Sequence, residues 1–342
     1  MKKVLATILA LVMALSVTTM AWADDVAKIG NTGYATLKEA IEHVANGETI
    51  VLTANVNNGD GIVVASGKNF TLDFAGHTYT ITQNVVGSTG TESQCFQLLK
   101  DSTITMKDGA IVANCAGAKM IIQNYCNLTL DNMILDATAG NNNVGYVVSN
   151  NCGNVVIKNG TTITAKTTGV AFDVYGGFQN YGDVSVTLEA GATVNGKVEV
   201  ARDTGTQNKN TLTVTGGTVN GELAVTQNAK TEVAVTGGTF SSDVSAYAAG
   251  NTPVASNNGT YYVGAETIQN AANTLSAGQQ LKIEKGTVTI NGNTVTAGTS
   301  YTVPSRYYYY QPTTDTKTDN TKGSPKTFDA GIALYVGMAL TS

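Results

Sequence analysis

Two short segments, "AFDVY" and "KVEVARD", each place an acid between apolar residues. Phe172 and Val174 flank Asp173, and Val198 and Val200 flank Glu199. On extended strands the apolar side chains share one face and the acids take the other. If the segments are neighbours in a parallel ladder, Asp173 and Glu199 point outward and stack about 5 Å apart. Carboxylates at that distance repel, so such a pair raises one pKa or takes up a cation such as calcium. The same separation suits a retaining glycosidase pair. Arg202 and Asp203 lie just beyond. The plainer alternative is that one outward acid per strand keeps the face soluble, with Arg202–Asp203 an ordinary surface pair. Alongside, the insertion "DVYGGFQNYGD" gathers Tyr175, Phe178 and Tyr181. Exposed aromatic faces are a usual platform for sugar rings. The alternative is that these rings tuck onto the strand below. Other chemistry is thin. Of the two histidines, His43 falls on a helix-like segment and His77 has no acid cluster nearby. The only Asp-Asp pair is Asp24–Asp25, and no Ser/His/Asp or Cys/His set can be assembled.

Such residues need a scaffold, and the chain supplies one by repetition. "TVTGGT" recurs as "AVTGGT" 21 residues later, and the three-part unit around it recurs more widely. A first strand reads "VVAS", "FQLLKD", "MIIQN", "YVVSN", "AFDVY", "KVEVA" and "ELAVT". A second includes "FTLDFAG", "TITMKDG", "LTLDN", "VVIKNG" and "VTLEAG", and a short third strand follows each. Taking Phe74, Met106, Leu130, Ile157, Leu188, Val214 and Val235 as matching positions gives spacings of 21 to 32 residues. Repeats of that length signal a solenoid, whereas a propeller blade needs about 40 residues and four strands. Three short alternating strands per repeat predict an all-β, right-handed parallel β-helix of about seven coils. Asn124, Asn150, Asn180 and Asn228 each come just after a first strand and predict an asparagine ladder at one corner.

The flanks read as coverings for the stack's exposed ends. Residues 24–60 form an N-terminal cap, with Leu37, Ala40, Ile41 and Val44 at helical spacing before Gly47. The repeats occupy residues 61–253. Residues 254–304 read as a small β-rich C-terminal module, with a possible helix and a hairpin turning at Asn291-Gly292.

The extremities indicate export. "MKKVLATILALVMALSVTTMAWA" is a signal peptide over residues 1–23, with Ala21-Trp22-Ala23 as the cleavage site. No later stretch is long enough for a stable membrane span. Charged residues make up only 13%, the net charge is −5, and the arginines are Arg202 and Arg306. That excludes a nucleic-acid partner, which requires clustered positive charge. Secretion permits disulfides among Cys95, Cys115, Cys126 and Cys152, with buried thiols an equal alternative. Cys126 and Cys152 fall at the same corner of adjacent repeats, where they are either bridged or stacked. Residues 305–323, starting at "SRYYYYQPTTDTK", are polar and read as a disordered tether.

With these parts in place, the chain resembles the pectate-lyase-like superfamily. "LKEAIEHVANGETIVL", "GGTFSSDVSAYAAGNTPVASNNGTYYVG" and "SPKTFDAGIALY" are similar to surface β-helix proteins of Gram-positive bacteria. The resemblance covers nearly all of the chain after residue 23. It implies a secreted, wall-associated, adhesin-like protein without a catalytic set, binding a polysaccharide or a host or microbial surface protein through its lateral face. It also implies an alternative, a polysaccharide lyase, in which carboxylates hold calcium and an arginine removes the proton. Asp173, Glu199 and Arg202 are the best local candidates for those roles. A third expectation is a passive wall or matrix scaffold. No cofactor other than that possible calcium is expected. Residues 324–342 resemble a sortase sorting signal, which implies cleavage after Thr327 and attachment to peptidoglycan. Ser324 and Phe328 depart from that signal, standing where its best-known form has Leu and Gly, and the apolar tail stops after about a dozen residues, too short to span a membrane. The signal is therefore degenerate or truncated.

Overall fold

The computed structural model describes residues 25–305. The expectations for the signal peptide, the tether beyond Ser305 and the sorting signal with Thr327 lie outside the described residues.

The protein is mostly β, with 47% strand and 7% helix, and its sheets are long and parallel. Alternating Val, Ile and Leu in short segments favour strands, and none of these segments is long enough to satisfy itself as a hairpin. Each therefore pairs with the equivalent segment of the next copy. Seven such segments, from Ile62–Val64 through Val170–Val174 to Leu223–Val225, form one wholly parallel sheet. The other segments build a larger sheet from two parallel ladders. The long strands Thr103–Ala113 and Asn127–Asp136 run through both ladders, turning at Asp108 and Asn132, which have positive φ.

Inward positions stack into continuous apolar columns. Leu72, Met106, Leu130, Ile157, Leu188, Val214 and Val235 occupy one register and are all buried. Here the matching set drawn from the sequence needs one correction. Met106 pairs with Leu72, not with Phe74. Phe74 lies past the strand end, buried in the corner, where a side chain on Gly109 would come within 2.2 Å of its Cβ. On the outer face, Asp73, Lys107, Asp131 and Lys158 alternate in sign along one column, with Lys107–Asp73 at 2.9 Å and Lys158–Asp131 at 3.6 Å. Facing opposite charges favour this register over a slipped one.

The asparagine ladder is shorter than expected. Asn124 and Asn150 stack, buried, with Asn124 Nδ2 donating to Asn150 Oδ1 at 3.3 Å. Val174 and Val200 take the following positions. Asn180 is carried away by the 175–183 insertion, and Asn228 sits in a turn beyond its strand, donating nothing to the column.

At the N-terminal end, Leu37–His43 is helical, capped by Thr36, whose hydroxyl accepts from the Glu39 N–H at 3.1 Å. Leu37, Ala40, Ile41 and Val44 are buried against the first strands. At the other end, Gly238–Phe240 pairs antiparallel with Thr260–Val263, which closes the parallel ladder. The helix Ala265–Thr274 and the strands that follow share a separate small core around Ile268, Leu281, Ile283 and Ile290. The hairpin Thr287–Thr296 turns at Asn291 and Gly292, both with positive φ.

Candidate functional site

The seven-stranded sheet brings Asp173 opposite Glu199 in register. Phe172, Val174, Val198 and Val200 are buried beneath them. The outer side at this point is not open, however. Asp173 is 1% exposed, and this corrects its expected outward, solvent-facing position. Its Oδ1 accepts from the Asn150 main-chain N–H at 2.6 Å, and its Oδ2 accepts from the Ser149 hydroxyl at 3.2 Å. Asn150 Nδ2 in turn donates to the Asp173 carbonyl at 2.9 Å. Burial pushes the Asp173 carboxyl up to about 7, against these hydrogen bonds and the attraction of Arg202, with Glu199 adding repulsion. Glu199 is 14% exposed and also committed, to Lys197 Nζ at 2.9 Å and to the Tyr146 hydroxyl at 3.1 Å.

Arg202 leaves the strand after Ala201, whose φ of 52° turns the chain at the corner. Its guanidinium lies 4.3 Å from the centroid of the Tyr175 ring and 6.0 Å from that of Tyr146. A guanidinium over two ring faces is attracted by their electron density, and Arg202 keeps this contact while staying exposed. Tyr175 donates to Asp203 Oδ2 at 2.7 Å, and that bond raises its hydroxyl pKa.

From Tyr175 the aromatic surface continues. Its ring meets Phe178 edge-on at 6.0 Å, and Phe178 meets Tyr181 at 5.8 Å. Tyr125 backs both, 4.8 Å from Tyr181 and 6.2 Å from Phe178. Phe178 and Tyr181 are 40% and 39% exposed. The insertion carrying them is anchored at several points. Asn210 Oδ1 accepts from the Gly176 N–H at 2.6 Å, Asn208 Nδ2 donates to the Phe178 carbonyl at 2.8 Å, and Lys100 Nζ donates to the Asn180 carbonyl at 3.1 Å. Beside Tyr125 and Tyr181 lies a depression of about 200 Å³, with Lys100, Asp101 and Asp183 on its rim.

Tyr175, Phe178, Tyr181 and Arg202 are thus brought together, while Asp173 lies under them and Glu199 beside them. Several contributors escaped the sequence reading, among them Lys100, Tyr125, Tyr146, Asn208 and Asn210. Tyr125 was within reach of it. It follows Asn124 as Tyr175 follows Val174, so the two occupy one column two repeats apart.

Larger depressions, of about 520 and 480 Å³, follow rows of Thr and Gly on the other sheet and corner. One is lined by a single aromatic ring, Tyr262, and the other by none, whereas the smaller one is lined by both Tyr125 and Tyr181 and is the stronger candidate. Among the described residues, no group of three or more His, Cys, Asp and Glu side chains is placed to hold a metal. All four cysteines are thiols, so Cys126 and Cys152 are stacked and not bridged. Comparison with protein-family models, with curated proteins and with solved structures finds no match.

Proposed function

We propose that the parallel stack is a right-handed β-helix of three strands per coil and about seven coils, and that the protein is a secreted surface binder of glycans without catalytic chemistry of its own. The observation that carries this reading is the row Tyr175, Phe178 and Tyr181, two of its rings about 40% exposed, on a loop fixed from three sides next to a shallow depression. Rings held in place cost little entropy on binding and offer flat apolar faces to sugar C–H groups. Arg202, Asp203 and Lys100 supply polar partners at the rim. The arrangement suits an extended polysaccharide lying along the lateral face, which multiplies weak contacts.

The lyase or glycosidase alternative needs carboxylate oxygens free to meet calcium, water or sugar. Both oxygens of Asp173 and both of Glu199 are already occupied by donors from the protein. The pair is better understood as the support under Arg202 and Tyr175.

The test is to incubate the purified protein with a panel of plant, microbial and host polysaccharides, with and without calcium, reading binding and chain cleavage from the same wells. The expected result is calcium-independent binding without cleavage. The double variant Tyr175→Ala/Tyr181→Ala should weaken it roughly thirtyfold, at about 1 kcal/mol per ring, while melting as wild type does. Calcium-dependent cleavage would overturn the reading in favour of an enzyme, and silence on the whole panel would favour a passive scaffold or a protein partner.

A further inference from the structure

The depression beside Tyr125 and Tyr181 joins two kinds of group, and together they select among sugars. The first kind is aromatic. The Tyr125 and Tyr181 rings are 4.8 Å apart and tilted by 37°, and Tyr181 is 39% exposed. Phe178 meets Tyr181 at 68° between ring planes, so one sugar ring cannot lie flat on both. The depression holds about 200 Å³. That is the share of six or seven waters at about 30 Å³ each, which is the scale of a single sugar ring.

The second kind is charged, with Lys100, Asp101 and Asp183 in the lining. Asp101 is exposed, and its carboxylate has no hydrogen-bond or ion-pair partner among the described residues. Asp183 accepts from the Lys209 main-chain N–H through Oδ1 at 2.9 Å, which leaves Oδ2 free. Lys100 Nζ donates to the Asn180 carbonyl at 3.1 Å, so this cation holds the insertion in place. Two carboxylates therefore face one committed lysine, and the lining is net negative. Free carboxylate oxygens accept strongly from sugar hydroxyls. They also repel any sugar that carries a carboxylate of its own.

We propose that this depression is a subsite for one neutral sugar ring of the bound glycan, and that Asp101 and Asp183 are the residues that exclude acidic sugars from it. The inference rests on the glycan-binding reading and narrows it. The apolar face of the sugar lies on Tyr181, and its hydroxyls donate to the free oxygens of Asp101 and Asp183. Arg202 does not reverse the preference. It lies over Tyr175, at the far end of the row and two ring contacts from Tyr181.

The experiment uses the full-length protein bound to the polysaccharide it retains most strongly from the panel. Glucose, galactose and mannose then compete for the protein, each alongside its C6 uronic acid. Salt is kept at physiological strength, where charges beyond about 8 Å are screened. A single sugar binds in the millimolar range, so the competitors run to roughly 100 mM. At least one neutral hexose should displace the polymer, and its uronic acid should need about ten times the concentration or more. In Asp101→Asn/Asp183→Asn that ratio should fall to about threefold or less. The variant keeps an oxygen for the Lys209 N–H and should melt as wild type does. Glu42→Gln/Glu266→Gln removes the same charge from the helices at the two ends of the molecule, and should leave the ratio at its wild-type value. A uronic acid that competes as well as its hexose would overturn the subsite while leaving glycan binding in place. So would a ratio unchanged in the Asp101/Asp183 variant, or failure of every neutral hexose to compete. Retention of no polysaccharide at all would overturn both the subsite and the reading beneath it.

Discussion

Asp173→Asn is expected to make the protein more stable than wild type at pH 8, by on the order of 4 kcal/mol, and to leave it about equal to wild type at pH 4. The reason is the cost of holding an ionised carboxylate under the roof formed by Arg202 and the loop that follows Tyr175. The carboxyl is 1% exposed, and its pKa is raised to about 7 from an ordinary 3.8, chiefly by burial. Below pH 4 it is protonated in both the folded and unfolded chain and contributes nothing to pH dependence. Between about pH 4 and 7 the unfolded chain gives up the proton and the folded one keeps it. Stability then falls by about 1.4 kcal/mol per pH unit. Above pH 7 both forms are ionised and the penalty is constant.

Asparagine has nearly the same shape and is neutral throughout. Its side-chain oxygen can still accept from the Asn150 N–H, and its amide can face the Ser149 hydroxyl. Other carboxyls titrate in the opposite sense. Asp108, bonded to Lys107, and Glu284, bonded to Lys282, are held low and lose stabilisation as pH falls. For that reason the wild-type curve alone is ambiguous, and the difference between variant and wild type isolates Asp173. Urea unfolding of both proteins from pH 4 to 9 makes the comparison. A variant less stable than wild type at pH 8, or a difference that does not change with pH, would show that Asp173 is not a strained buried acid. Arg202→Gln should act the other way and extend the wild-type loss to higher pH at the same slope, because it removes a cation that eases ionisation of Asp173.

Asp173 also marks the limit of what the sequence could reveal. The alternation Phe172–Asp173–Val174 correctly places the acid on the face opposite the core and opposite Glu199, since period and register are local properties that repetition reinforces. What covers that face is not local. Arg202 arrives from the next repeat and Tyr125 from two repeats earlier, and neither bears on the alternation in "AFDVY". The asparagine column failed for a related reason. Asn124 and Asn150 share a register, but the insertion that brings Phe178 and Tyr181 to the surface also displaces Asn180. The insertion thus breaks the repeat at the point where it builds the candidate site.

Gly153→Ala should be strongly damaging, costing roughly 3 kcal/mol or more, whereas Gly145→Ala, eight residues earlier, should cost nothing measurable. Two effects add at Gly153. Its φ of +87° lies where an L-residue is strained by about 1–2 kcal/mol. In addition, a Cβ there would stand 2.3 Å from the Cys126 carbonyl oxygen and 2.5 Å from its carbon, both main-chain atoms of the neighbouring repeat. A side chain could swing aside, but this backbone cannot, because Asn127 is already paired with Thr103 on its other side. Relief would require the two repeats to part, and Gly153 opens the strand Gly153–Ile157, which is paired along its length with Val184–Leu188. Gly145, by contrast, has nothing within 4 Å of the added carbon and no positive φ. Alanine there should be neutral, or stabilising by up to about 1 kcal/mol through the unfolded chain. Urea midpoints of the two variants against wild type decide the matter, and a Gly153→Ala midpoint equal to that of Gly145→Ala would mean the repeats are not in main-chain contact at this corner. Because the contact is backbone against backbone, no repacking of neighbouring side chains can rescue the variant. That is the physical reason a glycine is required where one repeat lies directly on the next.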